Sequence, residues 1–143
     1  AMDTLSKEAV KLIPEGFEDA KTQTISMLAN LKFNKDTLTA QAGTKLKLAV
    51  VNDDPMKLMH NWALVAPDSL TKVLEASNDL GAQGMAMDFV PEIPEVLAAT
   101  PQVAPGRQFV LYLNVPEEPG DYPYVCTYPG HGQIMRGVFT VTP

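Results

Sequence analysis

Cys126-Thr127-Tyr128-Pro129-Gly130-His131-Gly132-Gln133-Ile134-Met135 gathers the only cysteine of a 143-residue chain, one of its two histidines and one of its seven methionines into a single short segment. Tyr122-Pro123-Tyr124-Val125 leads into it with the alternation of a strand, and Pro129-Gly130 reads as a turn that brings His131 back beside Cys126. A loop that returns in this way lets a thiolate and an imidazole meet one cation. The other histidine lies far upstream, in Met59-His60-Asn61-Trp62. Taken singly these residues are ordinary: a lone Cys is most often a small buried hydrophobe, and Met is a common filler of core gaps. Taken together they use the whole Cys and His content of the chain.

One thiolate, two imidazoles and a thioether form the ligand set of a type 1 copper site, in which two histidines and a cysteine make a trigonal plane and a weak methionine lies on the axis. Zinc competes for cysteine and histidine, but a structural zinc site closes with four strong ligands and a thioether is a poor fourth. The soft Cys126 and Met135 donors favour copper. A nucleophilic Cys/His pair is another reading, and it leaves His60 and Met135 unexplained. A second copper centre would need a further cysteine or histidine. The chain has neither, and the neighbours of Cys126 are Val125 and Thr127. These absences favour electron transfer without substrate chemistry.

The Cys-x4-His-x3-Met spacing, with the upstream His60-Asn61-Trp62, resembles the azurin branch of the cupredoxins, with auracyanin-like proteins close by. The similarity runs from about Gln23 to Thr142 and includes Asp88-Phe89-Val90-Pro91 and Ala98-Ala99-Thr100. The resemblance implies a Greek-key β-sandwich, one mononuclear copper and one-electron shuttling between redox proteins. It makes His60, Cys126 and His131 the equatorial ligands and Met135 the axial one. Asn61 matches the residue that bonds across to the cysteine loop, here at Thr127. Three departures stand out. Met59 replaces the glycine whose carbonyl lies on the far axial side of the metal, Tyr128 replaces a phenylalanine, and a chain with one cysteine cannot form the azurins' internal disulfide.

Composition agrees with one domain: 45% hydrophobic residues in 143 suffice for a single core. A net charge of −6 argues against nucleic acid, for which a basic patch is expected, and favours a neutral or positive docking partner. No apolar run approaches the roughly 18 residues of a membrane span. The polar opening Ala1-Met2-Asp3 shows no signal peptide, so a periplasmic or otherwise exported location rests on the resemblance alone.

Period-two alternation organises most of the chain and predicts an all-β antiparallel sandwich. Ile25, Met27, Ala29, Leu31 and Phe33 read as one half-buried strand. Leu46, Leu48 and Val50 read as a second, and His60 to Val65 as a short third. Phe109, Leu111, Leu113 and Val115 share a face. Tyr122 to Cys126 and Val138 to Val141 complete the set. Between Pro67 and Gly81 the period changes. Leu70, Val73, Leu74 and Ser77 recur at helical spacing, which predicts one helical insertion around residues 68–79 on the flank of the sandwich. The segment that follows, with Pro91, Pro94, Pro101 and Pro105, is expected to form an extended, ordered loop. Residues 21–143 are expected to be the copper domain and 1–20 an extension or linker, with a short amphipathic stretch from Ser6 to Ile13.

These readings converge on an electron shuttle, expected to be a monomer, with the His131 ring edge as the electron's entry point. Redox donor and acceptor proteins would dock on an apolar patch around it, to which Met59, Met85, Gly132 and Ile134 are the expected contributors. Two alternatives carry different consequences: a copper carrier or storage module that hands over the metal, and an electron-relay domain cut from a larger redox enzyme.

Overall fold

The computed structural model describes residues 13–143. The stretch read as a short amphipathic segment, Ser6 to Ile13, lies outside these residues except for its last position. Among the described residues nine strands build two sheets: β1 (Lys21–Leu28), β2 (Lys32–Phe33), β3 (Thr37–Gln41), β4 (Lys45–Asn52), β5 (Ala63–Val65), β6 (Val96–Ala99), β7 (Gln108–Asn114), β8 (Gly120–Val125) and β9 (Arg136–Thr142). One sheet has the order β2-β1-β4-β7 and the other β3-β9-β8-β5-β6.

The alternating apolar positions decide which face is buried. Ile25 and Met27 of β1 and Leu46, Leu48 and Val50 of β4 point inward. Across the sandwich they meet Leu38, Tyr122, Tyr124, Phe139 and Val141. Trp62 fills the space between, with its ring 5.5 Å from Tyr124 and 6.4 Å from Phe139. Ahead of β1, Phe17 is buried and packs edge-on against Tyr112, so the chain already lies on the first sheet before Lys21.

Four details depart from the sequence reading. The sheets are mixed, because β1 runs parallel to β4 and β3 parallel to β9. The chain crosses to the second sheet at β3 and re-enters the first at β4 in the direction of β1. The single strand expected through Phe33 breaks after Leu28, since Asn30 and Leu31 adopt left-handed backbone (φ 65° and 56°) and turn the chain back into β2. The strand expected from His60 begins at Ala63, and His60 itself makes only an isolated bridge to Val103. The proline-rich segment is not uniformly extended: it contains two short 3₁₀ turns, Gly81–Gln83 and Met85–Met87, and then β6.

The helical insertion is α1 (Leu70–Asn78). Val73, Leu74 and Ser77 are its buried residues, three of the four positions that marked it in the sequence. Val73 and Leu74 pack with Ala63, Val65 and Val125 as a second cluster outside the sheet. The helix begins after Ser69, whose side chain makes no cap bond to the helix.

Candidate metal centre

Two loops meet at one end of the sandwich. The first leaves β4 at Asn52 and carries His60; the second leaves β8 at Val125 and carries Cys126, His131 and Met135. Their alignment follows from strand register. Ala63 of β5 pairs antiparallel with Val125 of β8, so two residues further out on each chain Asn61 stands opposite Thr127. There Asn61 Nδ2 donates to Thr127 Oγ1 and the Thr127 N–H donates to Asn61 Oδ1, both at 2.8 Å. Every polar atom that links the two loops here is buried and paired.

The second loop is closed by its own backbone. The Cys126 N–H donates to the Met135 carbonyl at 3.0 Å, and the N–H groups of Met135 and Ile134 both donate to the His131 carbonyl. Gly130 takes the left-handed backbone (φ 84°) that this turn requires. Gly132 is needed for room: a Cβ there would lie 2.3 Å from Leu74 of α1 and 2.9 Å from the Cys126 carbonyl oxygen. The helix thus leans directly on the loop that carries the donors.

His60, Cys126 and His131 come together. The two Nδ1 atoms lie 3.2 Å apart, and Cys126 Sγ lies 3.7 Å from His131 Nδ1. All three donor atoms fall within 4.8 Å of one another. Cys126 and His60 are fully buried and His131 retains 9% exposure. Met135 is fully buried in the core cluster that contains Cys126. The Tyr128 ring stacks on His131 at 4.5 Å and is itself met edge-on by Phe89 at 5.0 Å.

Burial pushes the Cys126 thiol up to about 11, against the opposite pull of backbone N–H groups of Asn61 and Tyr128. Burial lowers His131, and the nearby His60 adds to this more than Asp54 offsets it, which favours a neutral imidazole. The set therefore offers two imidazoles, that of His131 favoured in its neutral form, and one thiol whose proton a metal must displace. Borderline imidazoles and a soft sulfur at this separation suit a transition metal such as copper.

Two residues of the site were not singled out in the sequence. Asp54 has a fully buried side chain, and its Oδ2 lies 2.6 Å from His60 Nε2. Burial raises this carboxyl, but the His60 hydrogen bond, the Met56 N–H and the electrostatic pull of the adjacent imidazoles together hold it below the ordinary carboxylate value. Asn52, also buried, donates through Nδ2 to the carbonyls of Leu58 and Val103 and accepts the Asp54 N–H. An Asn-Asp-Asp-Pro run reads as a turn, and a carboxylate six residues before His60 was the available signal.

The expected apolar patch is only partly exposed. Met85 and Ile134 are each 62% exposed, whereas Met59 is half-buried and Gly132 is buried beneath Leu74. Met56 and Leu58 on the His60 loop add exposed apolar surface that the sequence reading omitted.

Comparison with known proteins gives a consistent result. The family model for copper-binding proteins of the plastocyanin/azurin family matches residues 20–142. Auracyanin-B of Chloroflexus aurantiacus is 33% identical over 117 residues, 79% of this chain; the chain spans about half (48%) of that relative's length. Azurin of Pseudomonas aeruginosa is 27% identical over 118 residues, covering 78% of each protein. A solved auracyanin B structure superposes with a TM-score of 0.76 at 32% identity, covering 87% of this chain and 90% of the other.

Proposed function

The chain belongs to the plastocyanin/azurin family of copper-binding proteins, and we propose that its domain is a one-electron carrier holding a single copper ion between His60, Cys126 and His131, with Met135 as the axial ligand. The observation that carries this reading is the convergence of two Nδ1 atoms and one Sγ within 4.8 Å in a buried pocket built from two separate loops. When bound, copper supplies a one-electron couple, Cu(I)/Cu(II). The protein's part is to hold the donors in one arrangement for both states, and the Asn61–Thr127 pair, the backbone closure of the second loop and α1 are the means. Met59 takes part through packing beside His60.

His131 is the residue through which the electron passes, since among the three donors it alone retains exposure. Exposed Ile134 on the same loop, Met85, and Met56 and Leu58 before His60 support a small apolar docking face for redox donor and acceptor proteins. Transient redox contacts need no more than that. The domain, residues 21–143 with 1–20 as an extension, acts as a monomer in an exported compartment and is not an enzyme. The likeness to auracyanins and azurins supports these points, and no helix among the described residues is long and apolar enough to cross a membrane.

Full burial of His60, Cys126 and Met135 favours retention of the metal over the carrier reading, because handing over copper needs accessible ligands. The test is to add Cu(II) to metal-free protein and follow the visible spectrum. An intense blue band that bleaches with ascorbate and returns with ferricyanide is expected, and Cys126→Ser abolishes it. A colourless product, or a band that survives Cys126→Ser, refutes the assignment.

A further inference from the structure

We propose that Asp54 is a positioning residue of the copper site: its buried carboxylate fixes His60 in the tautomer that presents Nδ1 to the metal, and it biases the site toward Cu(II). This inference rests on the copper reading above and assigns a role to a residue outside the ligand set.

The geometry is specific. Asp54 Oδ2 lies 2.6 Å from His60 Nε2, and the side chains of both residues have no solvent exposure. An ionised carboxylate only accepts hydrogen bonds, so Nε2 must carry a proton, and in the neutral imidazole that a metal needs Nδ1 then keeps its lone pair. That lone pair faces His131 Nδ1 at 3.2 Å, within reach of Cys126. The tautomer that suits the carboxylate is therefore the one that suits a metal.

The carboxylate cannot easily turn away. Its Oδ1 accepts the Met56 N–H at 2.8 Å, and its own N–H is held by Asn52 Oδ1 at 3.0 Å. Asn52 in turn grips the Leu58 and Val103 carbonyls, and Val103 exchanges two backbone bonds with His60. Asn52, Asp54, Val103 and His60 form one closed frame around the first loop.

A turn alone does not account for this arrangement. The Oδ1 bond to Met56 would suffice to shape the loop, and Oδ2 would then be free to face water. Instead it is buried against an imidazole, and among the described residues no Lys or Arg forms an ion pair with it. Burying a carboxylate without a cationic partner is costly. A metal ion behind the imidazole is the complement that offsets the cost. A carboxylate bonded to a ligand imidazole raises the basicity of the donor nitrogen. The fixed negative charge stabilises the higher of two metal charges.

Asp54→Asn is the test, because asparagine keeps the shape and the Met56 bond while removing the charge. Loss of such a partner commonly costs ten- to a hundredfold in metal affinity. Affinity for Cu(II) is expected to fall by that much and for Cu(I) by less, so the reduction potential rises by about 59 mV for each tenfold difference between them. Zn(II) affinity, a readout without redox, should fall in parallel. In metal-free wild-type protein, ¹⁵N NMR of the imidazoles is expected to show the His60 proton on Nε2. A proton on Nδ1 overturns the proposal without reference to any variant, and so does an unchanged potential in Asp54→Asn. If the wild-type protein gives no blue band, the copper reading fails, whereas the NMR and zinc results still decide whether Asp54 positions His60.

Discussion

Asn61 and Thr127 hold each other at two points, side chain to hydroxyl and backbone N–H to side chain, each at 2.8 Å and each out of contact with water. They stand 66 residues apart in sequence. The pair continues the β5–β8 register past the last strand residues, and it is the tie that sets the His60 loop against the Cys126 loop. Asn61→Ala leaves the Thr127 N–H and hydroxyl unpaired in a buried site, at roughly 1–3 kcal/mol for each group. We expect a loss of about 2–4 kcal/mol in urea unfolding of the metal-free protein. Thr127→Ala should lose less, since the backbone N–H to Asn61 Oδ1 survives. Equal losses would show that the backbone bond contributes nothing.

Alkali should weaken the metal-free fold. The Cys126 thiol is raised from an ordinary 9.0 to about 11 in the folded protein. Between these values the unfolded chain loses its proton first, so stability falls as pH rises through that window. Burial and the neighbouring Asp36 also raise the Tyr124 phenol, which carries the trend to higher pH. Denaturation midpoints measured from about pH 8 to 11 should decline, and Cys126→Ala should flatten the first part of the decline. An identical slope in that variant would assign it to other groups.

Gly132→Ala puts a methyl against Leu74 and against the Cys126 carbonyl. The leucine can move but the carbonyl belongs to the donor loop, so a cost of about 1–3 kcal/mol is expected. Adding Leu74→Ala should relieve only part of the strain, visible as a favourable coupling in a double-mutant cycle. Full relief would show that the loop backbone itself yields. The blue band of the copper-loaded single variant should shift as Cys126 is displaced.

Met135→Leu conserves volume at a fully buried position, so it should cost less than about 1.5 kcal/mol of stability. The blue colour should persist while the reduction potential changes, because the axial donor is one of the protein's controls over it. A potential equal to that of the wild type would place Met135 in the core and not at the metal.

His131→Gly opens the exposed side of the site. Copper should then be held in full only when external imidazole is supplied, and electron exchange with a soluble redox partner should slow. Stopped-flow exchange at the wild-type rate would remove His131 from the electron's route.

The convergence of His60, Cys126 and His131 was legible because cysteine and histidine are rare here, and a short segment that holds both together points to a metal before it points to packing. Strand β4 was equally legible: Leu46, Leu48 and Val50 alternate without interruption. Strand β3 was not, since Leu38 is its one fully buried residue and its neighbours are polar or small. The extension of β1 to Phe33 failed for a local reason, as alternating side chains continue through a turn whose left-handed residues are Asn30 and Leu31. Asn is tolerant of that conformation, but Leu is not a turn signal. The parallel pairs depend on which sheet the chain enters next, which period-two patterns do not encode. Asp54 and Asn52 stayed hidden because their chemistry lies in what they touch across the fold.

The placement of the donors along the chain has a consequence for assembly. Cys126, His131 and Met135 sit within one short segment, while His60 arrives from the other side of the sandwich only after β5 and β8 have paired. A chain that has not yet folded therefore already carries three of the four proposed donors in a local loop, within reach of one copper ion before the sheets dock. Metal bound to both the open and the finished chain stabilises the fold by only the difference between the two affinities. The thermal shift on loading should accordingly fall short of the value expected from the affinity of the folded site alone, with His60 and its Asp54 frame supplying most of the increment.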